Sequence, residues 1–87
     1  MIHKVLTIQS ERGLRARPAA DFVQEASRFE SQMLIEKGNK KVNAKSIMGV
    51  LSLGVGQGDT IHLIITGSDE REAMETMQRL VESPSQE

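Results

Sequence analysis

Few residues in this chain have side chains suited to reaction or to ion binding. Cysteine is absent, and His3 and His62 are the only histidines. The stretch GLRARPAADF, residues 13–22, puts Arg15 and Arg17 at the first turn of an expected helix, with Asp21 the only acidic residue close by. Unpaired N–H groups and the macrodipole already make a helix start electropositive, so a cation there costs about 0.3–1 kcal/mol. Two readings stay open. The arginines are exposed side chains whose mild cost is absorbed elsewhere, or they mark an anion site where guanidinium and free N–H groups hold a phosphate or a partner's carboxylate.

The second stretch is NAKSIMGVLSLG, residues 43–54. Ser46 precedes an apolar turn or two and so fits a helix N-cap, worth about 1 kcal/mol. The short helix it would cap carries Ile47, Met48 and Leu51 on one side. A phosphate on Ser46 would place about −1.5 to −2 charges at a helix start, where the dipole tolerates them. The result would be a new charge beside an apolar patch, which suits a switchable binding surface.

Other candidates have plainer explanations. His3 and His62 lie on expected strands with no second ligand nearby, so they are read as ordinary surface or edge residues, with no metal and no cofactor. Gly54, Gly56 and Gly58 precede a strand, whereas phosphate-cradling glycines follow one and open a helix, so GVGQGD is read as a flexible turn. Lys37, Lys40 and Lys41 suit solubility and edge protection, and no aromatic residue lies among them to stack bases.

The elements that must position these residues follow from periodicity. Ile2 to Gln9 alternates, with Ile2, Lys4, Leu6 and Ile8 on one face and His3, Val5 and Thr7 on the other. Ser10 to Gly13 is a polar loop. From Ala16, Ala19, Phe22, Val23, Ala26 and Phe29 make a helical stripe, with Pro18 near the start where its missing N–H does no harm. Met33 to Ile35 is a short strand. Gly38-Asn39 centres a tight hairpin, both residues tolerating positive φ, and Lys41 to Ala44 returns as a polar strand. Ser46 opens the short helix and Gly54 stops it. Thr60 to Thr66 points Ile61, Leu63 and Ile65 one way and His62 and Ile64 the other. Asp69 and Glu72 have approximate capping-box spacing for a last helix with Ala73, Met74, Met77, Leu80 and Val81 on one face to about Glu82. The tail SPSQE, residues 83–87, is expected to fray.

The order β-α-β-β-α-β-α predicts an α+β domain, a small and mostly antiparallel sheet with helices on one face. Eighty-seven residues make one domain, spanning 1–87, with the core left to aliphatic residues and two phenylalanines. Such a chain buries only about 60–65% of its unfolded surface, which leaves no room for a deep dry cavity. The formal net charge of −1 argues against bulk electrostatic binding of nucleic acid. The start of the chain lacks the apolar stretch of a signal peptide, and no run of about 18 apolar residues exists to cross a membrane. A cytoplasmic location is expected.

Together, GLRARPAADFVQEASRF and NAKSIMGVLSLG resemble the HPr family, the small phosphocarriers of the bacterial sugar phosphotransferase system. The likeness runs from about Ile2 to Val81 and includes the spacing between the motifs. In that family the first motif reads Gly-Leu-His-x-Arg-Pro, and its histidine takes a phosphoryl group from Enzyme I and passes it on. Here Arg15 stands at the histidine position and Arg17 at that of the motif arginine. A neutral imidazole has a nitrogen lone pair able to form a phosphoramidate. A guanidinium stays protonated and has none. The resemblance therefore implies loss of the carrier activity, and no enzyme. It is most specific to the subset that lacks the histidine but keeps the serine, the Crh (catabolite repression HPr) proteins. Familiar members carry glutamine at the position of Arg15.

The resemblance further implies that HPr kinase/phosphorylase phosphorylates Ser46. The phosphorylated chain would then act as corepressor with the catabolite control protein CcpA, a LacI-type repressor, in carbon catabolite repression. By position, its contact surface would comprise Ser46, Ile47, Met48 and Leu51 together with Arg15, Arg17 and Ala20. The implied fold is the open-faced β-sandwich of HPr, four antiparallel strands with three helices on one side. Two other classes fit the residues: a switched module restraining a metabolic enzyme, and a small acyl-phosphate hydrolase using Arg17 with Asn43 to orient water. A homodimer is also compatible with the short, polar Lys41 to Ala44 strand.

Overall fold

Alternation of apolar and polar residues produces four strands, and two amphipathic stretches and one short apolar stretch produce three helices. The computed structural model describes residues 1–83. The elements are β1 (Ile2–Thr7), α1 (Ala16–Ser27), β2 (Gln32–Lys37), β3 (Lys40–Asn43), α2 (Ile47–Ser52), β4 (Thr60–Thr66) and α3 (Glu70–Glu82). All strand pairs are antiparallel and the sheet order is β1-β4-β2-β3. Hence β4 lies between β1 and β2, and each of the two helical crossovers joins parallel strands separated by one neighbour. The fold is the expected open sheet with helices over one face.

Register explains which face is covered. Leu6 lies opposite Ile61, Ile35 opposite Leu63 and Met33 opposite Ile65, and all six are buried. From the helices, Ala19, Phe22 and Ala26 of α1 and Ala73, Met74, Met77 and Val81 of α3 close over them. Fully burying a side chain such as Phe22 contributes about 1.5–3 kcal/mol. The other face is open: His3 and Val5 are exposed, and Leu34, Ile64 and His62 are half-buried.

Several boundaries differ from expectation for local reasons. The first strand ends at Thr7, because Ile8 N–H already bonds to Asp59 O and Gln9 N–H to Val81 O. On its buried face Lys4 runs outward to donate to Gln78 Oε1 of α3 at 3.0 Å, keeping its charge wet. Phe29 lies beyond the end of α1, half-buried against the core, and Leu80 sits at the rim of the α3 face rather than within it. The third strand is shifted one residue, to Lys40–Asn43. In its two-residue hairpin only Gly38 has positive φ, +63°. Glycine at the first central position is the requirement of a type II′ turn, so Asn39 is not asked to adopt a left-handed backbone.

The clearest correction concerns Asp69. It precedes α3 but makes no side-chain cap there. Its carboxylate instead accepts the N–H groups of Glu30 at 2.9 Å and Ser31 at 3.0 Å, and the Ser31 hydroxyl. The loop before β2 is thus fastened to the loop after β4. Gly67 donates its N–H to Glu70 Oε1 at 3.0 Å, which ties the start of α3 in a different way. Of the tail expected to fray, Ser83 is held by two bonds to Arg79 O, and residues 84–87 lie outside the described residues.

Candidate functional site

Ser46 stands where the chain turns from β3 into α2. Asn43 makes that turn by accepting the N–H of Lys45 at 2.8 Å, so its side-chain oxygen has a local partner. Ser46 itself has extended backbone, and its Oγ accepts the N–H of Gly49 at 3.1 Å. This is the N-cap read from the sequence. Gly49 has no side chain to crowd that bond, and a Cβ there would meet Val42 Cβ at 3.3 Å.

The far end of α2 is fixed by lysines. Lys37 Nζ donates to Gly54 O at 2.9 Å and Lys40 Nζ to Ser52 O at 3.3 Å, filling carbonyls that a helix end leaves unpaired. Two of the three hairpin lysines therefore do more than keep an edge soluble. Gly54, with φ +63°, stops the helix as expected. Pinned at both ends, α2 buries Val50 and holds Ile47, Met48 and Leu51 outward, 37%, 73% and 40% exposed. An apolar patch of that kind on so short a helix has no packing purpose within the chain.

The GVGQGD turn next to it is fastened rather than flexible. Asp59 Oδ2 accepts the N–H of Gly56 at 2.8 Å and forms an ion pair with Lys37 Nζ at 2.9 Å. The Gly56 N–H, then Lys37, hold its carboxyl below the usual carboxylate range, with Arg15 a smaller contributor.

Arg15 is the N-cap residue of α1, which has no side-chain cap and no acidic residue in its first turn. The next residue, Ala16, is the only non-glycine among the described residues with positive φ, +52°. A left-handed backbone at alanine is strained by about 1–2 kcal/mol. The Arg15 side chain lies beside Gly56 and lines an open depression of about 520 Å³ with Glu11, Arg12, Gln57 and Asp59. Arg17 and Ala20 are exposed on α1, and neither arginine forms an ion pair among the described residues. The structure thus brings Arg15 to the 56–59 turn and groups Ser46 with Ile47, Met48 and Leu51. The helices α1 and α2 that carry the two sets pack against each other.

One adjacency was missed in the sequence. The sequence suggests no second ligand near either histidine, yet His3 Nε2 and His62 Nδ1 lie 2.8 Å apart on the open face of the sheet. The signal was present in the two strands, each placing its histidine on its polar face. Which strands pair was not.

A four-stranded antiparallel sheet under three helices, with a capped serine beside an exposed apolar patch, defines a class that comparison with known proteins specifies. The family model described as the PTS HPr component phosphorylation site matches residues 2–83, and the chain belongs to the HPr family. It is 56% identical over 82 residues to the HPr-like protein Crh of Halalkalibacterium halodurans, covering 94% of this chain and 98% of that one. With the Crh of Bacillus subtilis the identity is 50% over 82 residues, covering 94% and 96%. Among solved structures, the phosphocarrier HPr of Bacillus anthracis superposes with a TM-score of 0.92 at 48% identity, covering 93% of this chain and 96% of that one. A crystal structure of B. subtilis Crh, described as a dimer with a swapping domain, gives 0.74 at 51% identity, covering 93% of each chain.

Proposed function

We propose that this chain is a regulatory HPr-like protein of the Crh type, switched by phosphorylation of Ser46 and acting in carbon catabolite repression rather than in phosphoryl transfer. The observation that carries the reading is the Ser46 cap on a helix whose Ile47, Met48 and Leu51 face solvent. The likeness to Crh proteins, one of them described as a catabolite repression protein, supports it. In the reaction, Ser46 Oγ attacks the γ-phosphoryl group of ATP on HPr kinase/phosphorylase, its proton goes to a base of that enzyme, and ADP leaves. The modified serine stays at the start of α2, where a dianion is electrostatically favoured.

CcpA is the partner of the phosphorylated form in this reading. Its contact surface combines the phosphate, the apolar side of α2, and Arg15, Arg17 and Ala20 on α1. Arg15 replaces the transferring histidine, and a guanidinium has no lone pair with which to accept a phosphoryl group. The protein is then a binding partner and not a catalyst. A homodimer is a further element, favoured by the swapped and dimeric assemblies described for related chains.

Intact-mass analysis after incubation with HPr kinase/phosphorylase and ATP tests the switch. One added phosphate, absent in Ser46→Ala, is expected. An unmodified wild-type chain would reduce Ser46 to a helix cap and remove the corepressor reading.

A further inference from the structure

The open face of the sheet carries a pair of residues that this switch does not use. Strands β1 and β4 pair so that His3 lies opposite Ile64 and Val5 opposite His62. The two histidines are therefore diagonal neighbours on the face away from the core. Their ring centroids are 5.0 Å apart with planes inclined at 45°, and His3 Nε2 approaches His62 Nδ1 to 2.8 Å. His3 is exposed and His62 half-buried.

At that distance two neutral imidazoles share one proton, one nitrogen donating and the other accepting. A divalent ion can take the place of that proton. Metal–nitrogen bonds of about 2.0–2.1 Å put two coordinating nitrogens about 2.8–3.0 Å apart at 90° and about 3.3–3.4 Å apart at the tetrahedral angle. The two nitrogens face each other along nearly one line, 2.8 Å apart with ring centroids 5.0 Å apart, so both rings must turn by roughly 35–45° before their lone pairs meet at one ion. The ring that had donated moves its proton to its other nitrogen, His3 Nδ1 or His62 Nε2, and both facing lone pairs become free for the metal. No net proton is released.

We infer that His3 and His62 form a two-histidine site for a late first-row divalent cation, with Zn²⁺ as its representative. Imidazole suits such ions, and strand-borne ligands are held more rigidly than loop-borne ones. Among the described residues no cluster of three or more metal-binding side chains is present. Water completes the coordination, which makes the site open and exchangeable rather than a closed structural centre. Glu36 lies opposite His62 on β2, adding negative charge to the same row, and Lys41 lies opposite Glu36 on β3. Because the ligands are 59 positions apart and join β1 to β4, an ion bound to the folded chain stabilises the docking of the first strand.

The test is a titration of the full chain with ZnCl₂ by calorimetry, alongside thermal unfolding with and without the ion. One Zn²⁺ per chain and a rise in Tm of a few degrees are expected for the wild type. His3→Gln and His62→Gln, checked for native circular dichroism, should each bind at least tenfold more weakly and lose the rise. Absence of Zn²⁺ uptake by the wild type would overturn the proposal. So would full binding by His62→Gln with loss in His3→Gln, which would assign the ion to a chelate of the Met1 amine with His3.

Discussion

At the scale of single residues, Ser46 caps α2 and in the proposed function also carries the phosphate. Ser46→Ala removes the acceptor of the Gly49 N–H and should lower stability by about 0.5–2 kcal/mol in chemical denaturation. Met48 is mostly exposed, so Met48→Ala should change stability by less than about 0.5 kcal/mol while weakening partner binding. On the proposed reading Arg15→His introduces a ring nitrogen able to accept a phosphoryl group, so this variant should be labelled by phosphorylated Enzyme I and the wild type should not. Ser46 was legible because an N-cap is a local device: serine, an apolar turn and a stopping glycine lie within nine residues. Asp69 was misread by the same local logic. Its acceptors face Glu30 and Ser31, 39 and 38 positions away, which no capping pattern reports. The histidine pair escaped for the same reason.

At the scale of elements, carboxylates fasten the loops. Asp59, Asp69 and Glu70 are all held below their ordinary values, chiefly by a Gly56 N–H, the Ser31 hydroxyl and a Gly67 N–H respectively. The folded chain therefore binds fewer protons than the unfolded chain in acid. Their contribution is complete above the ordinary values of 3.8 and 4.5 and disappears as pH falls through the lower folded ones. Thermal unfolding should give a flat Tm at mildly acid pH and a decline below about pH 4.5, and Asp69→Asn should make that decline shallower. The loop before α1 depends on Gly13, whose φ is +62° and whose Cβ, if present, would stand 2.4 Å from Val55 O. Gly13→Ala should cost about 2 kcal/mol or more, by backbone strain and displacement of Val55, read as a lowered denaturation midpoint. Strand and helix types were legible from periods of two and about 3.6. Ends were less so, because Ile8 and Gln9 find partners in Asp59 and Val81 rather than in a strand.

At the scale of the whole molecule, alternation along the strands and the helical stripes together specified an open sheet covered on one side. Strand order is not legible from periodicity, since it depends on which edge each crossover reaches. The core has little redundancy. A chain of 87 residues is stable by about 4–13 kcal/mol at about 0.05–0.15 kcal/mol per residue, whereas emptying the site of a buried phenylalanine costs about 3–5 kcal/mol. Phe22→Ala should therefore lose about 3–5 kcal/mol, a large share of the total, read as a strongly lowered midpoint in chemical denaturation. The proposed function rests on the opposite feature, the apolar side chains Ile47, Met48 and Leu51 that the core leaves outside. Whether those side chains and a phosphate act together is decided most directly by titrating CcpA with the unmodified and the Ser46-phosphorylated chain under identical conditions. The phosphorylated chain should bind at least tenfold more tightly, with the gain abolished in Met48→Asp. Equal affinity of the two forms, or binding indifferent to Met48, would contradict a phosphorylation-switched corepressor.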